Sequence, residues 1–190
     1  MKAHTCHNVA FAWSGMIGVA VFVIAWVCAA SVDTAWQFGV NNLSEFGISD
    51  TDARLYFNYG CILAGIIVAI FGAGRALNTE NAGHTAGGAF IAVGGVFLAL
   101  IGVFTMDSSL HNLVAVSAAL FILMGIVAVT AGNWAADRKI IAGAGIVFVV
   151  FLSVMLLVFD VAELEAYGII LALVWFLIES VNMILLGKKG

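Results

Sequence analysis

Two groups of polar side chains in this chain have the residue types and spacing for chemistry. The first collects Ser44 and Glu45, then Arg54 and Asn58, then Asp107 and His111. Arg54 and Asn58 are four residues apart, as are Asp107 and His111, so each pair shares a helix face where the helix includes both. Serine, histidine and acid are the parts of a nucleophilic triad, which makes Ser44, His111 and either Asp107 or Glu45 the catalytic candidates. Histidine with carboxylates also binds metal, but a catalytic zinc takes three protein ligands and keeps a fourth position open. This group holds a single histidine, so neither a metal nor another cofactor is expected. Two plainer readings stay open: Arg54, Asn58, Asp107 and His111 line the mouth of a polar pocket, or they cap helices and tie a loop down.

The second group centres on Glu179, with His7, Arg75, His84 and Arg138 as candidate partners. One reading is a buried ion pair or hydrogen-bonded carboxyl that fixes helix register; the other is a proton relay. A relay needs ionisable groups at successive depths, and the middle of the hydrophobic segments offers none. The tract His4-Thr5-Cys6-His7 reads as a solvated tail.

The segments that must position these groups are unusually apolar. Hydrophobic residues make up 64% of the 190 residues and charged residues only 9%, and mean hydropathy is +1.15. Soluble domains carry about 25% charged residues, so a water-exposed globule of this size is excluded. Several runs reach the ~20 residues that span ~30 Å of hydrocarbon. Basic patches interleaved with aromatics, the mark of nucleic-acid binding, are absent. Cys6, Cys28 and Cys61 read as small packing residues, with a Cys28–Cys61 bridge left open by spacing alone.

The expected architecture is all-α: one transmembrane domain over 1–190, a polytopic six-helix bundle with spans at 9–30, 54–74, 83–105, 110–131, 140–159 and 166–186. The first span resembles a signal peptide but is longer than a usual hydrophobic region of one. Asp107-Ser108-Ser109 is the expected cap of span four, and Gly132-Asn133 its stop. Proline is absent, so no span carries a proline kink. With the N-terminus inside, Lys2, Arg75, Arg138, Lys139, Lys188 and Lys189 fall on the inner side and only Arg54 outside. That asymmetry predicts cytoplasmic N- and C-termini in a multi-pass protein of the cell membrane.

The long outer loop, 31–53, carries Trp36, Phe38 and Phe46, which predicts aromatic rings at headgroup level. Its Asn42-Leu43-Ser44 matches a glycosylation sequon, without deciding its use. In span three, Gly88, Ala92, Gly95, Ala99 and Gly102 form a continuous seam of small residues that lets another backbone approach closely. Span three is therefore expected to be the most enclosed helix, with a homodimer on the seam as the alternative. Along span six, Glu165, Gly168, Ala172, Trp175, Glu179 and Asn182 share a stripe, with Phe176 off it. Lipid exposure of a charge costs about 2.5–3.5 kcal/mol, so Glu179 must face protein.

Read together, several short motifs resemble a known family. They are Asn42-Leu43-Ser44-Glu45-Phe46-Gly47, Phe57-Asn58-Tyr59-Gly60, Gly102-Val103-Phe104 followed by Asp107 and His111, and Glu179. Their order and spacing resemble a prokaryotic, largely archaeal membrane family catalogued as domain of unknown function 998. The resemblance implies six helices and no established activity, and by distant analogy a lipid-related role. The family pattern implies Arg after the last-helix acid, where this chain has Ser180. Three functions stay open. The first is a non-catalytic protein that binds membrane lipids, or packs as a homo-oligomer or a subunit of a membrane complex. The others are a lipid-modifying enzyme with an outward-facing site, and a small transporter or channel.

Overall fold

The computed structural model describes residues 2–78 and 81–187, with side chains from residue 9 onward. His4, Cys6, His7, Lys2, Lys188 and Lys189 therefore lie outside the described side chains. Six long helices make up the fold: α1 Lys2–Val32, α2 Ala53–Leu77, α3 Ala82–Ile101, α4 His111–Ala135, α5 Lys139–Val158 and α6 Val161–Gly187. A short 3-10 helix, Leu43–Ile48, lies in the loop between α1 and α2. All six long helices have membrane-spanning length and composition, and the described residues contain no strand. The chain is a multi-pass membrane protein.

Each helix packs against the next in sequence, and α6 returns to α1, so the six close into a ring. Its interior is filled from all sides. Phe71 of α2 and Phe176 of α6 meet edge to face at 5.5 Å, with Ile91, Ile126 and Phe148 in the same core. Phe176, expected off the buried stripe, is thus a core residue. The α1–α2 loop lies at the end of the bundle opposite the termini; that end is called the loop face below, and the other the terminal face.

The small-residue seam of α3 is buried on α2 of the same chain. A Cβ on Gly88 would strike the backbone at Gly72 and Ala76, one on Gly95 that at Gly65 and Ala69, and one on Gly102 that at Asn58. The contact is reciprocal: a Cβ on Gly65 or Gly72 would strike α3 at Gly95 and Ala99 or at Gly88 and Ala92. Small residues on both helices bring peptide groups into van der Waals contact, and dispersion over that length replaces the hydrophobic force missing in lipid. A homodimer built on this seam would have to displace α2. On its other side α3 meets α4, with Gly87 against Gly125 and Val129. The most enclosed helix is nevertheless α2, half of whose span is buried against a third for α3, because α1, α3 and the 3-10 helix all cover it.

Several ends differ from the hydropathy pattern, each for a local reason. α4 runs through Gly132 and Asn133 to Ala135, because Gly132 is packed against His84 and a glycine chosen for close approach does not stop a helix. It closes instead on Asp137, whose φ of 60° is the left-handed turn that follows many helices. At its start Leu110 is the cap residue, and Ser108 Oγ accepts the Leu110 N–H. α6 begins at Val161 because Asp160 Oδ1 accepts the Glu163 N–H at 3.0 Å.

Candidate functional site

The terminal face contains a closed polar network built from four helices. Arg75 stands in the last turn of α2, His84 in the first turn of α3, Asn133 near the end of α4, and Glu179 and Asn182 toward the end of α6. Arg75 Nε donates to Glu179 Oε1 at 3.0 Å. Asn133 Nδ2 donates to Glu179 Oε2 at 3.0 Å and Asn182 Nδ2 to the same oxygen at 3.2 Å. Glu179 and Asn133 are each only 1% exposed and Arg75 2%. A carboxylate buried this deeply persists because each oxygen has a donor and one donor is a cation.

The next tier orients Asn133. Its Oδ1 lies 3.2 Å from His84 Nε2 and 3.5 Å from Arg138 Nη1. Because the Asn133 amide nitrogen already donates to Glu179, Oδ1 is the acceptor, and His84 Nε2 therefore carries a hydrogen. Asn81 fastens the margin: its Oδ1 caps α3 by accepting the His84 N–H at 3.1 Å, and its Nδ2 donates to Gly132 O at 2.9 Å. Of the four partners expected for Glu179, Arg75 binds it directly, His84 and Arg138 reach it through Asn133, and His7 lies outside the described side chains. The sequence conceals Asn133, because Gly132-Asn133 reads as a stop. Its spacing from Ile126 and Val129, both fully buried, was the available signal for one continuous buried face.

Ser180 sits in the position of the implied family arginine. It is fully buried, faces α1 where a Cβ on Gly15 would collide with its Oγ, and has no hydrogen-bond partner among the described residues. Glu179 takes its cation from α2 instead.

At the loop face the polar groups hold the 3-10 helix onto the bundle. Glu45 folds back so that Oε1 accepts the Asn42 N–H and Oε2 the Asn41 side-chain amide, both at 2.8 Å. Glu165 of α6 accepts the Leu43 N–H at 3.1 Å. Asn58 Nδ2 donates to Gly47 O at 3.1 Å, and Trp36 Nε1 to Asn42 O at 3.0 Å. These anchors press Leu43 and Phe46 into the bundle, both fully buried, with Phe46 under Trp36 at a ring separation of 4.6 Å. Phe46 is thus a core residue, covered by protein. Asn42 of the sequon is tied into this turn.

His111 Nδ1 lies 2.8 Å from the Phe104 carbonyl oxygen and therefore donates to it. Asp107 and Arg54 are exposed, and Ser44 is buried. Among the described residues no hydrogen bond or ion pair joins any two of Ser44, Glu45, Arg54, Asn58, Asp107 and His111. No group of three or more His, Cys, Asp or Glu gathers among the described residues, and Cys28 and Cys61 are free thiols.

Two concavities lie on the sides of the bundle. One, of about 460 Å³, runs between α4 and α5 and is lined by Val127, Thr130, Ala131, Trp134, Ile146 and Val150 among others. The other, of about 470 Å³, lies over the α2–α3 seam and includes Ile66, Ile70, Val96 and Leu100. Both are walled almost wholly by hydrocarbon.

No curated protein and no solved structure matches this chain. The family model described as "Protein of unknown function (DUF998)" matches residues 16–182, a stretch that takes in both the loop-face anchors and the Arg75–Glu179 network, and the chain belongs to that family.

Proposed function

We propose that this protein is a non-catalytic, lipid-associating component of the cell membrane, with both termini in the cytoplasm. One observation carries the reading. Glu45, Asn58, His111 and Glu179 are committed to the protein's own architecture, whereas the concave surfaces open sideways and are hydrocarbon-lined. A catalytic constellation needs nucleophile, base and orienting group within mutual hydrogen-bond reach, and among the described residues no hydrogen bond joins Ser44, Glu45, Asp107 and His111 to one another. Arg75, Asn133 and Asn182 satisfy the Glu179 carboxylate, and with His84 on Asn133 the network locks four helices, the arrangement of a register-fixing core. Rigid helices with shallow apolar grooves suit acyl chains.

The positive residues Arg75, Arg138 and Lys139 on the terminal face support the cytoplasmic placement of the termini. Mass spectrometry of phospholipid retained after detergent exchange tests the lipid reading. Lipid should remain at about one or more molecules per chain. A lipid-free preparation that keeps its fold would overturn it. For orientation, an impermeant maleimide applied to intact cells should label Asp50→Cys and spare Asp137→Cys; the reverse pattern refutes the topology.

A further inference from the structure

α5 is the most loosely held helix, burying only Ala142, Gly145, Phe148 and Met155 over its 20 residues. Its junction with α4 is therefore open along one side. Thr130 against Gly145 forms the floor, where a Cβ on Gly145 would collide with the threonine hydroxyl. Val127, Ala131, Ile146 and Val150 form the walls. From Val127 to Trp134 the groove covers eight residues of α4, seven rises and so roughly 10 Å. That is too short to seat a partner transmembrane helix, which needs a seam over much of ~30 Å. Part of one acyl chain fits.

The end of this groove at the terminal face is cationic. Lys139 Nζ stands 4.1 Å from the centre of the Trp134 ring, itself part of the groove lining, and donates to Trp134 O at 3.2 Å. Asp137 lies 3.5 Å from the same ammonium, but its carboxylate is 90% exposed and Arg138 follows it. The formal charge of Asp137-Arg138-Lys139 is +1. The Lys139 side chain is half exposed, so the ammonium is open to a further anion. Tryptophan with a neighbouring lysine at the end of a span is the combination that sits at headgroup depth.

We propose that the α4–α5 groove binds an anionic phospholipid, with an acyl chain along Val127–Trp134 and the phosphate on Lys139. This assignment rests on the lipid-associating reading above and narrows it to one site and one headgroup charge.

The test uses the full-length protein in nanodiscs containing phosphatidylglycerol or phosphatidylcholine with brominated acyl chains, reading tryptophan quenching. Comparison with Trp134→Phe isolates the Trp134 signal. Brominated phosphatidylglycerol should quench Trp134 at about a fivefold lower mole fraction than phosphatidylcholine, the scale of one basic side chain at an anionic surface. Lys139→Gln should abolish that preference, Lys139→Arg should keep it, and Arg54→Gln at the opposite face should leave it unchanged. Ala131→Phe, at an exposed wall position, should reduce quenching by both lipids. Equal quenching by the two lipids in the wild type, or a preference that survives Lys139→Gln, overturns the anionic site. Should Lys139→Gln fail to fold, undiminished quenching in Ala131→Phe overturns the groove by itself. If phosphatidylcholine is retained and quenches equally, lipid association stands and only the anionic site fails. If neither lipid is retained, both readings fail.

Discussion

The Arg75 guanidinium meets the Glu179 carboxylate at 3.0 Å across 104 residues of sequence, with both side chains almost sealed from the surface. That pair ties the end of α2 to the end of α6, which are not sequence neighbours in the helical ring. Asn133 brings in α4, and His84 brings in α3 through Asn133. A rotation or slide of any of these helices would strand a buried charge, so the network fixes their register as a group.

Removing one partner should therefore cost more than removing both. Glu179→Leu leaves Arg75 buried without its counter-charge and should destabilise the protein by about 3–5 kcal/mol. The double variant Arg75→Leu/Glu179→Leu should recover a good part of that loss. Equilibrium unfolding in detergent for the two single variants and the double variant provides the cycle; additive losses would show the pair to be uncoupled.

The seam between α2 and α3 has no room for larger residues. Gly72→Leu pushes side-chain atoms against the α3 backbone near Gly88 and Ala92 and should cost about 1–3 kcal/mol or more. Gly143 is the internal control, because a Cβ there meets nothing within 4 Å. Gly143→Ala should be neutral or stabilise by up to about 1 kcal/mol through helix propensity. Thermal midpoints of the two variants should move apart in that order.

Glu165 holds the loop at its own end of the molecule. Glu165→Ala removes the acceptor of the buried Leu43 amide, and an unsatisfied buried donor costs about 1–3 kcal/mol. Hydrogen exchange over 43–48 should accelerate by about tenfold or more, whereas exchange near Asn133 should stay as it was. Equal acceleration at both ends would mean that the loop is coupled to the whole bundle.

Ser180 keeps a hydroxyl buried without a partner among the described residues. Ser180→Ala removes that unmet polar group at almost no cost in volume, and should leave stability unchanged or raise it by up to about 1 kcal/mol. Asn133→Ala, two helices away in the same layer, should destabilise, because it strips a donor from Glu179 and an acceptor from His84. The sign difference between the two variants, read from their thermal midpoints, is the check.

The primary structure by itself determined the six helices, their membrane-spanning character and the inward aim of Glu179. These follow from local quantities: the length of each apolar run, the placement of caps, and the cost of showing a charge to lipid. It also carried the small-residue seam, since spacing along one helix is a property of that helix. What it could not carry was the choice among partners. Glu179 had several cations in reach, and only the packing of α2 against α6 selects Arg75. The seam could have served a second copy, and the glycines of α2 claim it instead. Asn133 read as punctuation until the approach of His84 to Gly132 made it part of a buried layer, and Phe46 read as a surface ring until Glu165 and Asn58 drew its loop onto the bundle. Each of these rests on contacts between segments far apart in the chain, whose geometry exists only once the helices have packed.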